Sequence, residues 1–191
     1  LFWGTILAIA GAGVASEVYN HYKKVKTIGQ MKSELPKGAK ILNCGCKNFF
    51  TTDSYFEITN IDIIPRNVPN FVLADVRDLS TFPDKSFDGA FISHVLEHIP
   101  AEDVDKALSE LNRVVRDPKR IYILLPTPAT PTAWLCPTHK WLPIGDKRIP
   151  VHPILNWGTL VGSLALTRPT GKSALMLPII PSAATVWYIY S

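Results

Sequence analysis

Between Ala39 and His98 the chain carries four short apolar, β-branched runs: Ile41-Leu42, Ile58 to Ile64, Phe71 to Leu73, and Ala90 to Ile92. Each is cut off by a polar or turn residue, the pattern of strands in a sheet buried on both faces. Asn43, Gly45, Asp62, Asp75 and His94 stand at or just beyond the carboxyl ends of these runs. In an open α/β sheet that end is where ligands bind. The pattern predicts a central α/β unit over 39–126 that binds something at one edge.

The flanking segments differ in character. Leu1 to Ser16 reads LFWGTILAIAGAGVAS and meets no charge before Glu17. This reads as a transmembrane anchor over 1–22, with Trp3 and Tyr19 at the two interfaces. A signal sequence and a buried helix are the competing readings. Lys23, Lys24 and Lys26 follow, which would place the globular part on the cytoplasmic or matrix-like side. Residues 23–38 read as a polar connector, closed by Pro36-Lys37-Gly38. After the central unit, 127–191 is Pro-rich and then apolar, and is expected to complete the sheet or to contact membrane or a partner. Trp134, His139, Trp141 and His152 in it are candidates for the substrate side, or for plain aromatic packing.

A net charge of +4 with no long basic run gives no nucleic-acid face. Three cysteines cannot make a disulfide framework, and two of them form Cys44-Gly45-Cys46. Ala101 to Val115 predicts a helix with Val104, Leu108, Leu111 and Val115 on one stripe. Asp117-Pro118 ends it, and Arg120 to Leu125 reads as a fifth strand.

The stretch from Ile41 to Pro126 resembles the class I S-adenosylmethionine-dependent methyltransferases, in particular the compact kind with a Leu-Glu-His segment after the fourth strand. The likeness rests on the order of Ile41-Leu42-Asn43-Cys44-Gly45-Cys46, Asn60-Ile61-Asp62, Ala74-Asp75-Val76-Arg77-Asp78 and Val95-Leu96-Glu97-His98-Ile99. It implies a Rossmann-like α/β sheet and S-adenosylmethionine as cofactor. It implies Asn43 and Gly45 at the first turn, Asp62 on the ribose, and Asp75 with Val76 on the adenine. His94 is the implied catalytic base, with Glu97 beside it.

The departures are equally plain. Asn43 stands where the family has an acid, and Lys47 and Phe49 where it has glycines. Ile63 to Asn70, with Pro65 and Pro69, cannot form a crossover helix, so the crossovers are expected to be trimmed loops. One face of the sheet would then be left for a membrane or a partner subunit. Two functions follow: a membrane-anchored methyltransferase-like protein of unknown acceptor, or a catalytically inactive structural subunit of a membrane complex.

Other readings of the same residues are thinner. His94-Val95-Leu96-Glu97-His98 also fits the inverted-zincin pattern, but no glutamate follows Glu110 to supply a third ligand. Cys44, Cys46, Cys136 and His139 could in principle surround zinc, although Cys-x-Cys is tight spacing. Thr170-Gly171-Lys172-Ser173 lacks the earlier glycine of a phosphate loop. No metal is assigned.

Overall fold

A computed structural model describes residues 2–130, 133–134 and 136–151. Five parallel strands form one sheet in the order β3-β2-β1-β4-β5. They are β1 (Lys40–Cys44), β2 (Glu57–Asp62), β3 (Phe71–Leu73), β4 (Gly89–Ser93) and β5 (Ile121–Leu124). The chain steps outward from β1 to β3, then crosses to β4 on the other side. The topological switch therefore falls between β1 and β4, where Rossmann-like sheets take their ligands.

Alternation along the strands builds two cores. Leu42, Cys44, Ile61, Ala90 and Ile92 face a helix, α2 (Val104–Val114), through Val104, Ala107, Leu111 and Val114. A single 3-10 turn (Ala101–Asp103) leads into that helix. Ile41, Ile58, Phe91 and Tyr122 face the other way, onto Met31 and Leu35. Met31 belongs to α1, one continuous helix from Phe2 to Glu34, and Leu35 follows its last residue.

This corrects one expectation: the end of the polar connector, helical as far as Glu34, covers the sheet face that trimmed crossovers would have left bare. Glu34 locks it there, accepting from Tyr122 Oη at 2.7 Å and pairing with Arg120 at 2.6 Å. The helix runs unbroken through residue 22, the end expected for an anchor. Among the described residues no helix is long and apolar enough to cross a membrane. Lys23 is spent on the domain, donating to the Leu125 carbonyl and to Thr127 Oγ1, both at 3.1 Å. Lys24 sits over the Phe49 ring at 5.1 Å.

The crossovers 45–56 and 63–70 contain no helix, as the prolines and the short spacing predict. The third crossover, 74–88, is held from α2 instead of by a helix of its own. Glu110 accepts from the Leu79 amide at 2.8 Å, and Arg113 donates to the Leu79 and Phe82 carbonyls at 2.9 and 3.0 Å. Asp88 fixes the entrance to β4: it accepts from the Lys40 amide at 2.8 Å and pairs with Arg116.

Beyond β5 a two-stranded antiparallel hairpin forms, β6 (Trp141–Ile144) and β7 (Lys147–Pro150). Gly145, at φ 61°, makes its tight turn with Asp146. Each strand of a two-stranded ribbon has a free edge, so Pro143 and Pro150 are tolerated. The hairpin docks on the segment 96–105: Trp141 Nε1 donates to the Ile99 carbonyl at 3.2 Å and Arg148 pairs with Asp105 at 2.6 Å. His152, the apolar stretches 154–166 and 174–190, and the turn at Lys172 lie outside the described residues.

Candidate active site

The carboxyl ends of β1, β2 and β4 bring Gly45, Asp62 and His94 to one edge of the sheet. The first turn is shaped by packing. Gly45 has φ 66°, and a β-carbon on it would stand 2.3 Å from Val95 Cγ2. Its amide donates to the Ile61 carbonyl at 2.9 Å. Only glycine meets both demands. The loop beyond it is unusual in keeping Lys47 and Phe50 at φ 38° and 55°, where side chains are disfavoured. Burial, together with Lys24 and Arg66 nearby, pushes the Lys47 ammonium down to about 7.

Asn43 does not face a ligand. It is buried on the α1 side of the sheet, where its Nδ2 serves the carbonyls of Phe49 and Phe50 at 3.1 Å and Asn60 Oδ1 at 2.9 Å. Asn60 in turn donates to the Thr51 and Pro69 carbonyls at 2.9 and 2.8 Å. Two hydrogen-bonded side-chain amides thus replace the missing helices by pinning both loops to the strand ends. Val76 is likewise a core residue, 5% exposed among the side chains under α2.

The two carboxylates are partly committed. Asp62 caps its own turn by accepting from the Ile64 amide at 3.1 Å, and pairs with Arg66 at 3.3 Å. Asp75 accepts from the Arg77 side chain at 2.6 Å and from its amide at 2.9 Å. Hydrogen bonds from Arg77 hold the Asp75 carboxyl below the usual range, against the opposing pull of burial. Arg77 also reaches Asp103 at 2.7 Å. Both pairs are local in sequence, so a ligand could exchange for the arginine without unfolding either turn.

The β4 side is arranged differently. His94 follows the strand at φ 56°, its amide held by the Leu124 carbonyl at 2.9 Å. Its Nδ1 lies 3.1 Å from Glu97 Oε1, across the 3-10 turn Leu96–His98. This short turn, rather than an α-helix, removes the inverted-zincin geometry, which needs both imidazoles on one helical face. Glu97 is fully buried. Burial pushes its carboxyl up, but the hydrogen bond from His94 and the nearby His98 outweigh this and hold it low. His139 arrives from the loop before β6, with Nε2 3.9 Å from Glu97 Oε1 and its ring 5.0 Å from that of His98. That approach spans 42 residues of chain, from 97 to 139, and only the fold reveals it.

The three cysteines do not gather. Cys44 and Cys46 are buried, and burial raises both thiols, Cys46 to about 11. Cys136 stands apart from them, hydrogen-bonded to His139. Two open clefts of about 350 and 380 Å³ lie at the amino-terminal ends of the strands, lined by Lys40, Glu57 and Phe87 and by Thr51, Asp53 and Phe56. That is the end of a parallel sheet where ligands are not expected.

Fold and site together define a Rossmann-like α/β protein whose topological switch lies between β1 and β4. Residues 42–123 match the methyltransferase domain family. The match covers less than half of the chain and agrees with the resemblance to class I methyltransferases read from the sequence. Among solved structures, a SAM-dependent methyltransferase from Archaeoglobus fulgidus superposes with a TM-score of 0.51 at 23% identity, covering 79% of this chain and 67% of that one. The PH0226 protein from Pyrococcus horikoshii OT3 gives 0.41 at 24% identity, covering 50% of this chain and 53% of that one. The chain thus spans about half the length of the Pyrococcus protein. No curated protein is a significant match to the chain.

Proposed function

We propose that this chain is an S-adenosylmethionine-dependent methyltransferase-like protein whose acceptor is not defined by the structure. The observation that carries this is the β3-β2-β1-β4-β5 sheet with Gly45, Asp62 and His94 converging at its switch point. Asp62 and Asp75 are the acceptors for the ribose hydroxyls and adenine amine, in exchange for Arg66 and Arg77, while the Asn43 side chain holds loop carbonyls and that of Val76 packs in the core. The cofactor supplies an electrophilic methyl group on a sulfonium. His94 is the base for the acceptor: its Nδ1 faces Glu97, and its buried Nε2 has no hydrogen-bond partner among the described residues. A proton taken at Nε2 is stabilised by the Glu97 carboxylate through Nδ1, while the fixed turn at His94 sets the angle of approach.

Calorimetric titration of S-adenosylmethionine into the purified chain tests the reading. Micromolar binding lost in Asp62→Ala supports it, and no heat with a folded protein sinks it.

A second reading has its own observation in favour. Lys47 occupies the first turn at positive φ, and the Gly45 and Cys46 amides of that turn are spent on the Ile61 carbonyl. An inactive domain serving as a structural subunit would look the same, and would show no heat in the titration. Membrane attachment through residues 1–19, a protein partner, and a cytoplasmic or matrix-like location are further parts of the proposal. The membrane or partner contact is supported by an exposed stripe on α1, with Val14, Val18, Tyr22 and Val25 each more than half exposed. Co-flotation with lipid vesicles checks this, and a chain that stays at the bottom of the gradient removes the lipid contact.

A further inference from the structure

Glu97, His98 and His139 come together with a ligand atom from each inside 4.8 Å of the others. We propose that they bind one divalent transition-metal ion of the zinc type, which staples the segment before the β6–β7 hairpin to the turn after β4. The inference does not depend on cofactor binding at the other side of the crevice.

Three observations carry it. First, both imidazoles are already set in the tautomer a metal needs. His98 Nδ1 lies 3.2 Å from the Thr138 carbonyl and His139 Nδ1 lies 2.7 Å from the Ala133 carbonyl. A carbonyl can only accept, so each Nδ1 carries the proton and each Nε2 presents its lone pair. Metal-bound histidines are oriented in this way by an outer hydrogen bond.

Second, Glu97 is fully buried and holds an oxygen in reserve. Oε1 is engaged by His94, while Oε2 is buried with no hydrogen-bond partner among the described residues. A buried carboxylate oxygen left bare is costly, and an ion would satisfy it. His94 then acts as the outer partner of the carboxylate.

Third, the donor set is two imidazoles and one carboxylate, the combination that leaves a fourth position open on zinc. At metal–ligand distances of about 2.0–2.2 Å, donors of a tetrahedral ion stand roughly 3.4 Å apart. His139 Nε2 already stands 3.9 Å from the nearer oxygen of the same carboxylate, Oε1, and a small side-chain movement brings the donors to that spacing. The Cys136 thiol, beside His139, adds a soft donor next to the cluster. Partial exposure of His98 provides a route in for the ion.

The test uses the full chain, stripped with chelator and titrated with Zn²⁺ by calorimetry and with Co²⁺ by visible absorption. The expected result is one equivalent bound, with four- or five-coordinate cobalt bands. His139→Ala and Glu97→Gln are each expected to weaken Zn²⁺ binding by about tenfold or more. Because Glu97 is buried, its variant could fail to fold; His98→Asn, at a partly exposed residue, then decides, alongside the rise in Tm that Zn²⁺ gives the unmodified chain. Absence of binding in the unmodified chain overturns the proposal. So does binding that survives His98→Asn and His139→Ala but is lost in Cys46→Ser.

Discussion

The two halves of the crevice, built on the same sheet edge, spend their polar groups in opposite ways. On the β1–β2 side almost everything is satisfied from within: Asn43 and Asn60 hold loop carbonyls, Asp62 holds Arg66, and Asp75 holds Arg77. On the β4 side a fully buried carboxylate keeps an unused oxygen, and His94 keeps an unused ring nitrogen. The difference follows from the shortened crossovers. Without helices after β1 and β2, the loops there need side chains to pin them, and the strand-end residues supply them. After β4 the crossover retains its helix, so the strand-end groups are free of that duty.

The largest expected effect comes where the halves touch. Gly45→Ala places a methyl on Val95 and forces an L-residue into the left-handed region, at a cost of about 3 kcal/mol or more by urea denaturation. Val95→Ala in the same chain recovers part of that loss. If Gly45→Ala is neutral, the tight contact between the halves is wrong.

Restoring the family acid, Asn43→Asp, sharpens the contrast. A carboxylate cannot donate to the Phe49 and Phe50 carbonyls, and it would be charged and buried beside Asn60. A loss of about 2 kcal/mol is expected. A stabilised variant would mean that Asn43 is a degenerated ligand residue rather than a loop clamp.

A third effect concerns pH. The folded loop lowers Lys47 to about 7 from its ordinary 10.5, chiefly by burial. Between those values the unfolded chain keeps a proton that the folded chain releases, so stability rises with pH across the window. Below about 7 the penalty of burying the charge is fully present. Lys47→Met flattens this rise, seen as a stability gain over the unmodified chain that shrinks as pH climbs from 7 to 10. A gain independent of pH would place Lys47 in solvent.

How much of this was legible in the sequence depends on whether the information was local. The strands were readable because burial on both faces leaves continuous apolar runs, and the loop-like crossovers because Pro65 and Pro69 exclude a helix. Gly45, Asp62 and His94 were placed by strand ends alone. The docking of α1 was not readable, since Met31 and Leu35 are two apolar residues in a polar stretch. The hairpin hid behind Pro143 and Pro150, although Gly145-Asp146 between two β-rich runs was its signal. The pairing of Asp62 with Arg66 and Asp75 with Arg77 was within reach, at four and two residues' distance. His139 beside Glu97 was not, because nothing in the spacing of two distant segments says that they meet.

The central claim is that a ligand enters at the carboxyl edge of this sheet despite its self-satisfied first half. Amide shift mapping with S-adenosylmethionine tests it most directly. The account predicts perturbations confined to 44–50, 61–66, 74–77 and 93–98. Perturbations centred on Lys40, Glu57 and Phe87 at the opposite edge, or none at all in a folded chain, would contradict it.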